Sequence, residues 1–377
     1  ESVNHALFRL GEIQRKKNIE KPVIEVTGSV GKTTLCNLIA SILSTERKVL
    51  YDFNNDNNNT RMHVSLSYLY FDNYDMAVTE FGITDFGIMH QMSKLALPSI
   101  AVINSIGTAH INHLKSKENI LEEKMHITDY LQDEKVLFVN DDDEYLKSLR
   151  GDASYQLMHY SIKEASNIVL TDGKISFTTK IYGKDTDFDL QLYGSYHIRN
   201  IILAIRIAEI YHIKYENIVK AICNFVPIDG RFKVFENKET KIMVIDDTYN
   251  SCFESVICGL DIANQMKSNR KIAVLGTIGS GIDGKEDTSL LHEQVGSHFE
   301  NLNFDYLYLT GDYTKHILKG ALGALKEKNI KKFKTKEVLI SELQKNIQNG
   351  DLIYIKDAGL QEFEEIVHSL EKEYHLT

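Results

Sequence analysis

A chain of 377 residues, 43% hydrophobic and 25% charged, is long enough for about two or three domains with full cores. Its formal net charge of -10 excludes a general nucleic-acid binder, because neutralising phosphates needs concentrated Lys and Arg, and no apolar run approaches the length of a membrane span. Four cysteines, Cys36, Cys223, Cys252 and Cys258, match no metal-ligand spacing, and a chain of this size needs no disulfide scaffold; with no signal pattern at the N-terminus, a reduced cytoplasm is the expected compartment.

In chain order, Ala6, Leu7, Leu10 and Ile13 at helical spacing predict an opening helix. Apolar runs then alternate with helical stretches, with strands expected at Val23 to Val26, Val49 to Phe53, Met76 to Glu80, Ile100 to Asn104 and Val136 to Asn140. Runs of this kind, bounded by turns and separated by helices, predict a parallel sheet covered on both faces. The pattern changes over about residues 153–193, where alternation in Ile175 to Ile181 and in Phe188 to Leu192 predicts antiparallel strands joined at Asp172-Gly173. Helices over His197 to His212 and Tyr215 to Phe225 close a first domain, 1–229.

Pro227-Ile228-Asp229-Gly230 breaks either regular structure, and a second β/α rhythm follows at once. Its strands are expected at Ile242 to Ile245, Ile272 to Leu275, Tyr306 to Thr310 and Leu352 to Ile355. The fold class is therefore α/β: a central P-loop domain with a mostly parallel sheet, plus a smaller C-terminal doubly wound α/β domain, 230–377. Ligands of the second domain would sit at the carboxyl ends of its strands.

The strongest chemical signal is Val23-Ile24-Glu25-Val26-Thr27-Gly28-Ser29-Val30-Gly31-Lys32-Thr33-Thr34, an apolar strand that runs through a glycine turn into a helix expected from Leu35 to Ser44. Gly28 and Gly31 allow a tight turn whose N–H groups, with those of Ser29 and Thr34, cradle phosphates. Lys32 supplies a point charge, and the Thr33 hydroxyl can ligate Mg2+. Only Ser29 and Val30 separate Gly28 from the Gly-Lys pair, a compact variant of the mononucleotide loop. Glu80 ends a strand at the same sheet edge, where a magnesium ligand belongs, the alternative being a strand-end acid in solvent. His110 lies on that rim as either a metal ligand or a structural histidine. Lys124, among acidic neighbours on a helix, reads as an exposed lysine, and Gly194 to Asn200 as a turn and helix start. Arg231 after Gly230 either reaches a phosphate or makes an interdomain salt bridge. Asp246 and Asp247 end the first strand of the second domain; burying adjacent acids without partners is costly, which favours a functional role.

Taken in order, the phosphate loop Thr27 to Thr34, Asn57-Asn58-Asn59, Glu80, His110, Lys124, Gly194-x-x-His197-x-x-Asn200, Gly230-Arg231 and Asp247-x-Tyr249-Asn250 resemble the Mur ligases, closest to the MurF branch. The resemblance covers nearly the whole chain. It implies ATP-dependent amide bond formation through an acyl phosphate, with ADP and phosphate released, by a central ATPase domain and a C-terminal domain that closes over it. It further implies that Lys32 contacts the β- and γ-phosphates, that Thr33 and Glu80 hold one Mg2+, and that His110 serves a second. Lys124 becomes the position that family members often carry as a carbamate. Asn200 would bind the adenine, Arg231 the γ-phosphate, and Asp247 the ribose or an interdomain nucleotide contact, with Asn250 in the same motif. The implied partners are a small-molecule carboxylate and an amine, with no nucleic acid and no membrane; monomer and homodimer both stay open.

Three departures fall at the substrate ends. Only about twenty residues precede the phosphate-loop strand, so the UDP-gripping N-terminal domain of peptidoglycan ligases is not in this sequence. Lys356-Asp357-Ala358-Gly359 stands where the MurF pattern has Lys-Gly-Ser-Arg, and Leu275-Gly276-Thr277 lacks the acid that commonly follows that glycine. Asn59-Thr60-Arg61-Met62 replaces the usual Gly-Val-Pro after the asparagines. The leading expectation is an ADP-forming ligase acting on a non-UDP substrate, the second an N-terminally truncated peptidoglycan MurF that joins UDP-MurNAc-tripeptide to D-Ala-D-Ala. A catalytically inactive nucleotide-binding regulatory subunit is a different class. Lys32, Thr33, Glu80, His110, Lys124 and Arg231 together favour an enzyme, since a scaffold has no use for that set.

Overall fold

A computed structural model of the protein describes residues 3–51, 68–132, 134–151, 153–171, 173–279, 285–358 and 362–376. The asparagine run Asn57 to Asn59, the following Thr60-Arg61-Met62, and Gly359 lie outside these residues. The chain divides into two compact units, one of Glu1–Leu170 with Lys174–Phe225 and the other of Val226–Thr377 with Thr171–Gly173. Among the described residues no helix is long and apolar enough to cross a membrane.

The first unit opens with α1 (Val3–Lys17) and is built on β1 (Val23–Thr27), β2 (Val49–Leu50), β3 (Met76–Phe81), β4 (Ile100–Ile103), β5 (Val136–Asn140) and β6 (Gln156–Tyr160). These strands form one parallel sheet in the order β2-β3-β1-β4-β5-β6. Every residue of β1, β4 and β5 is buried, as a sheet covered on both faces requires. On one face Ile24, Val26 and Val102 pack under α2 (Lys32–Leu43); on the other Val23, Ala101 and Ile103 pack under α3 (Ile88–Ala96) and α4 (Lys117–Met125). The order of connection reverses between β1 and β4, which opens a crevice at their carboxyl ends.

Two sequence expectations change here. Gln156–Tyr160, expected within the antiparallel stretch, pairs parallel to β5 and completes the main sheet. The antiparallel sheet is confined to β7 (Ser166–Thr171), β8 (Lys174–Ile181) and β9 (Lys184–Leu190), in that order. The turn joining β8 to β9 is Tyr182-Gly183, both left-handed (φ 50° and 74°); of the expected turn Asp172-Gly173, Asp172 lies outside the described residues. Its apolar face, Phe177 and Phe188 stacked at 5.4 Å, packs with α5 (Tyr196–Ile210) and α6 (Tyr215–Cys223) into the core around α2.

In the second unit β10 (Lys233–Glu236) runs antiparallel to β11 (Met243–Asp247). Beyond β11 the sheet is parallel, with β12 (Arg270–Leu275), β13 (Tyr306–Thr310), β14 (Ile330–Phe333) and β15 (Asp351–Lys356) in the order β10-β11-β15-β12-β13-β14. The two edge strands, short and rich in charge, carry too little apolar pattern to be read from sequence. Helices α7 (Phe253–Gln265), α8 (Lys285–His298), α9 (Thr314–Ala321), α10 (Lys336–Asn346) and α11 (Glu364–Tyr374) complete the rhythm. Between α8 and α9 the backbones touch: a Cβ on Gly320 would lie 2.0 Å from the Glu293 carbonyl oxygen, and one on Gly296 2.1 Å from that of Ile317. Gly320→Ala therefore has no room, and overpacking of this kind is expected to cost about 1–3 kcal/mol or more. Urea unfolding measures it, and an unchanged midpoint would mean that the two helices separate freely.

Candidate active site

β1 must turn directly into α2, and Gly31 makes this possible by adopting φ 78° just ahead of Lys32. The turn is packed against the end of β4. A Cβ on Gly28 would meet Ser105 N at 3.1 Å and Asn104 Cβ at 3.2 Å, and one on Gly31 would meet Asn104 Nδ2 at 2.9 Å. Asn104 Nδ2 donates to the Val30 carbonyl at 2.8 Å, while Ser105 Oγ accepts from Ser29 N and Val30 N at 3.1 and 3.0 Å. Ser29 Oγ in turn accepts from Gly107 N at 2.8 Å. The loop is thus held in shape from β4, leaving the first-turn amides of α2, which by helix geometry have no intrahelical acceptor, aimed at the crevice.

Parallel register brings Glu80 of β3 beside Val26 of β1, so its carboxylate reaches the start of α2. Thr33 Oγ1 donates to Glu80 Oε2 at 2.6 Å, and Lys32 Nζ lies 3.7 Å from Glu80 Oε1. A hydroxyl and a carboxylate converging in this way are hard oxygen donors of the kind Mg2+ takes while keeping positions for water and phosphate, so the residues fit that ion. From the other face of the sheet Lys124, buried within α4, brings its Nζ to 3.4 Å from Thr27 Oγ1 at the end of β1. Its expected exposure is therefore wrong. Burial and the nearby Lys32 charge hold its ammonium well below the usual lysine range, with Glu123 and Glu80 acting the other way. The neighbouring Glu123 is committed elsewhere, accepting from Gly87 N and Met89 N, each at 2.8 Å, at the start of α3.

His110 adopts φ 63° just ahead of the short helical turn Ile111–Leu114. Burial, with Lys32, Lys124 and His113 adding positive charge, pushes its pKa down to about 4. The imidazole is thus neutral near pH 7, the form that ligates a metal. On α5, His197 and Asn200 are both buried one turn apart; burial and the Arg199 charge push His197 down to about 3.

In the second unit Arg231 stacks over the Tyr249 ring, its guanidinium carbon 4.0 Å from the centroid. Gly230, at φ 71°, lets the chain pass Tyr249 closely, and Gly230 N donates to Asp246 Oδ2 at 3.0 Å. The paired acids divide their work. Asp246 also accepts from Thr248 N and Oγ1 and braces the turn, whereas Asp247 Oδ2 accepts from Lys356 Nζ at 2.6 Å and from Tyr354 OH at 2.9 Å. Burial raises the Asp247 carboxyl and Lys356 opposes that rise. Asn250 lends its carbonyl to Lys356 Nζ at 3.0 Å. At the adjoining strand end a Cβ on Gly276 would lie 2.1 Å from Asp357 Oδ1.

Comparison with known proteins matches each unit to a family model. The Mur ligase middle domain matches residues 26–208, and the Mur ligase glutamate ligase domain matches residues 230–359. The chain belongs to the Mur ligase family. It is an ATP-dependent, ADP-forming ligase in that sense. Among relatives, the UDP-N-acetylmuramoyl-tripeptide–D-alanyl-D-alanine ligase of Bacillus subtilis is 26% identical over 351 residues, 92% of this chain and 75% of the relative. Among solved structures, MurF from Acinetobacter baumannii superimposes with a TM-score of 0.84 at 24% identity, covering 98% of this chain and 81% of that one. MurF ligase from Thermotoga maritima in complex with ADP gives 0.84 at 22% identity, covering 100% and 85%.

What sequence reasoning missed in this Mur ligase is the scaffold of the loop. The sequence marks Asn104 only as a strand end, yet its Oδ1 accepts from Tyr160 OH at 3.0 Å and its carbonyl from Asn140 Nδ2 at 3.1 Å. Tyr160 belongs to β6, whose parallel pairing to β5 is not legible in its residue pattern, and the brace is hidden with it. The available signal was that Asn-Ser follows a fully apolar strand at the edge that carries the loop. Asn104→Ala removes the support of the Val30 carbonyl and strands the Tyr160 hydroxyl, a loss on the scale of one buried hydrogen bond, about 1–1.5 kcal/mol. The expected result is a rise in KM for ATP of about tenfold with smaller change in Tyr160→Phe; steady-state kinetics with an unchanged KM would remove Asn104 from the brace.

Proposed function

We propose that this Mur ligase joins a small-molecule carboxylate to an amine through an acyl phosphate. The observation that carries the reading is the convergence of Lys32, Thr33 and Glu80 at the glycine loop, with the buried Lys124 reaching the end of β1 at Thr27 from the opposite face of the sheet. Lys32 would neutralise the β- and γ-phosphates. Thr33 and Glu80 would hold one Mg2+ and His110 a second; bound there, the ions would neutralise the charge that develops on the transferred phosphoryl group. Asn200, Arg231, Asp247 and Asn250 would complete the nucleotide contacts, Arg231 at the γ-phosphate and Asn200 at the adenine.

In the proposed sequence a carboxylate oxygen of the substrate attacks the γ-phosphorus, the bond to the bridging oxygen breaks, and ADP leaves. The amine nitrogen then attacks the acyl carbon, inorganic phosphate departs, and the nitrogen loses a proton. Holding the reactants together supplies much of the rate by removing the entropic cost of encounter. Burial and the Lys32 charge disfavour the ammonium form of Lys124, and through its neutral amine Lys124 would add to CO2 and release a proton to become a carbamate, which would place a negative charge on the metal side of the loop.

The amine end supports a substrate other than the standard dipeptide: Asp357 stands where the MurF pattern has glycine, and its carboxylate fills the space before Gly276. A carboxylate substrate without UDP is our leading reading. The names of the relatives favour a second, the joining of UDP-N-acetylmuramoyl-tripeptide to D-alanyl-D-alanine.

ADP and phosphate should be released only when a carboxylate and an amine are both supplied, and Lys32→Ala should abolish release. Assaying candidate pairs beside the UDP-linked tripeptide and D-alanyl-D-alanine separates the two readings, and AMP with pyrophosphate as products would reject the acyl phosphate. Lys124→Ala should be inactive and partly restored by a short-chain carboxylate. Undiminished turnover in that variant would take Lys124 out of the site.

A further inference from the structure

Away from the phosphate loop, two histidines of the first unit converge on one carboxylate oxygen. Asp129 Oδ2 lies 2.5 Å from His90 Nδ1 and 2.9 Å from His126 Nδ1, and the three atoms are all within 4.8 Å of one another. His126 and Asp129 stand three residues apart on a 3-10 turn, whose geometry eclipses side chains at that spacing. His90 comes from the first turn of α3, so the cluster bridges two elements.

The two elements are fixed independently of the cluster. Ser93, fully buried one turn after His90, donates from Oγ to the Ile127 carbonyl at 2.9 Å and accepts from Tyr130 N at 3.2 Å. The start of α3 is tied to Glu123 through Gly87 N and Met89 N. Tyr130 sets its ring edge-on to His90 at 5.3 Å, which limits rotation of the imidazole. A preorganised trio on rigid elements is what separates a binding site from a chance meeting of exposed groups. The trio also remains open to solvent, its side chains 48%, 44% and 29% exposed for His90, His126 and Asp129.

We propose that His90, His126 and Asp129 form a site for Zn2+ or a divalent transition ion of the same class. Two imidazole nitrogens and one carboxylate oxygen are a borderline donor set that suits Zn2+ and not Mg2+, with three protein ligands leaving a further position to water. Each imidazole ligates through Nδ1 with its proton on Nε2, so the ion replaces the hydrogen bonds that Asp129 accepts. None of the three residues contributes to the phosphate loop. A bound ion would clip α3 to the turn that directly follows the Lys124 helix.

The test is calorimetric titration of the whole protein with ZnCl2 in excess Mg2+ and without nucleotide, together with the visible spectrum on adding Co2+. One saturable Zn2+ per chain is expected, with d–d absorption bands for Co2+. His90→Ala and Asp129→Asn should each weaken binding by at least about tenfold, the lower end of what even an outer-shell partner contributes. His110→Ala should retain it. Absence of saturable binding, binding unchanged in His90→Ala, or binding lost in His110→Ala would overturn the proposal. Because all three side chains are partly exposed, melting without metal is expected to be the same in each variant, which shows that a loss of binding is not a loss of fold.

Discussion

The first unit is organised by one close approach, that of the Gly28 to Gly31 backbone to Asn104 and Ser105. A side chain at either glycine would push the loop off β4 and take its amides out of line with the crevice. The order of the sheet makes the approach possible, because β4 is the hydrogen-bonded neighbour of β1 on the side away from β3. β3 serves the other flank and delivers Glu80. Loop, brace and carboxylate are therefore three consequences of one strand order.

Electrostatics follow from the same arrangement. Lys32 and Lys124 put two amines near one carboxylate, Glu80, and the second amine is buried where a charge is hard to keep. His110, in the field of both lysines, also stays neutral. Glu123 opposes the shift of Lys124 only in part, its oxygens being engaged by the backbone of α3.

The second unit uses its acids differently. Asp246 is spent on local structure, tying Gly230 to Thr248, whereas Asp247 belongs to a buried ion pair with Lys356 in the next strand. A buried pair of this kind is costly to break by removing one partner, so Lys356 and Asp247 stand as a unit. Asp357, one residue further, faces Gly276, the residue after β12. The changes at Lys356-Asp357-Ala358-Gly359 and at Leu275-Gly276-Thr277 are thereby one structural feature, the meeting of two strand ends.

By itself the sequence determined the β/α alternation, the phosphate loop, Glu80 on the loop's edge and the family, because these rest on local periodicity and on motifs whose order survives divergence. It could not determine that Gln156–Tyr160 joins the main sheet, since a short strand has the same period in parallel and antiparallel pairing and only its neighbour decides. Nor could it tell that Lys124 is buried or that Asp246 and Asp247 have separate partners, because burial and pairing depend on elements far apart in the chain. The brace by Asn104 and Tyr160, and the meeting of His90 with His126 and Asp129, were likewise decided by tertiary structure. Each joins residues 36 to 56 positions apart through contacts that exist only once the sheet and its helices have packed.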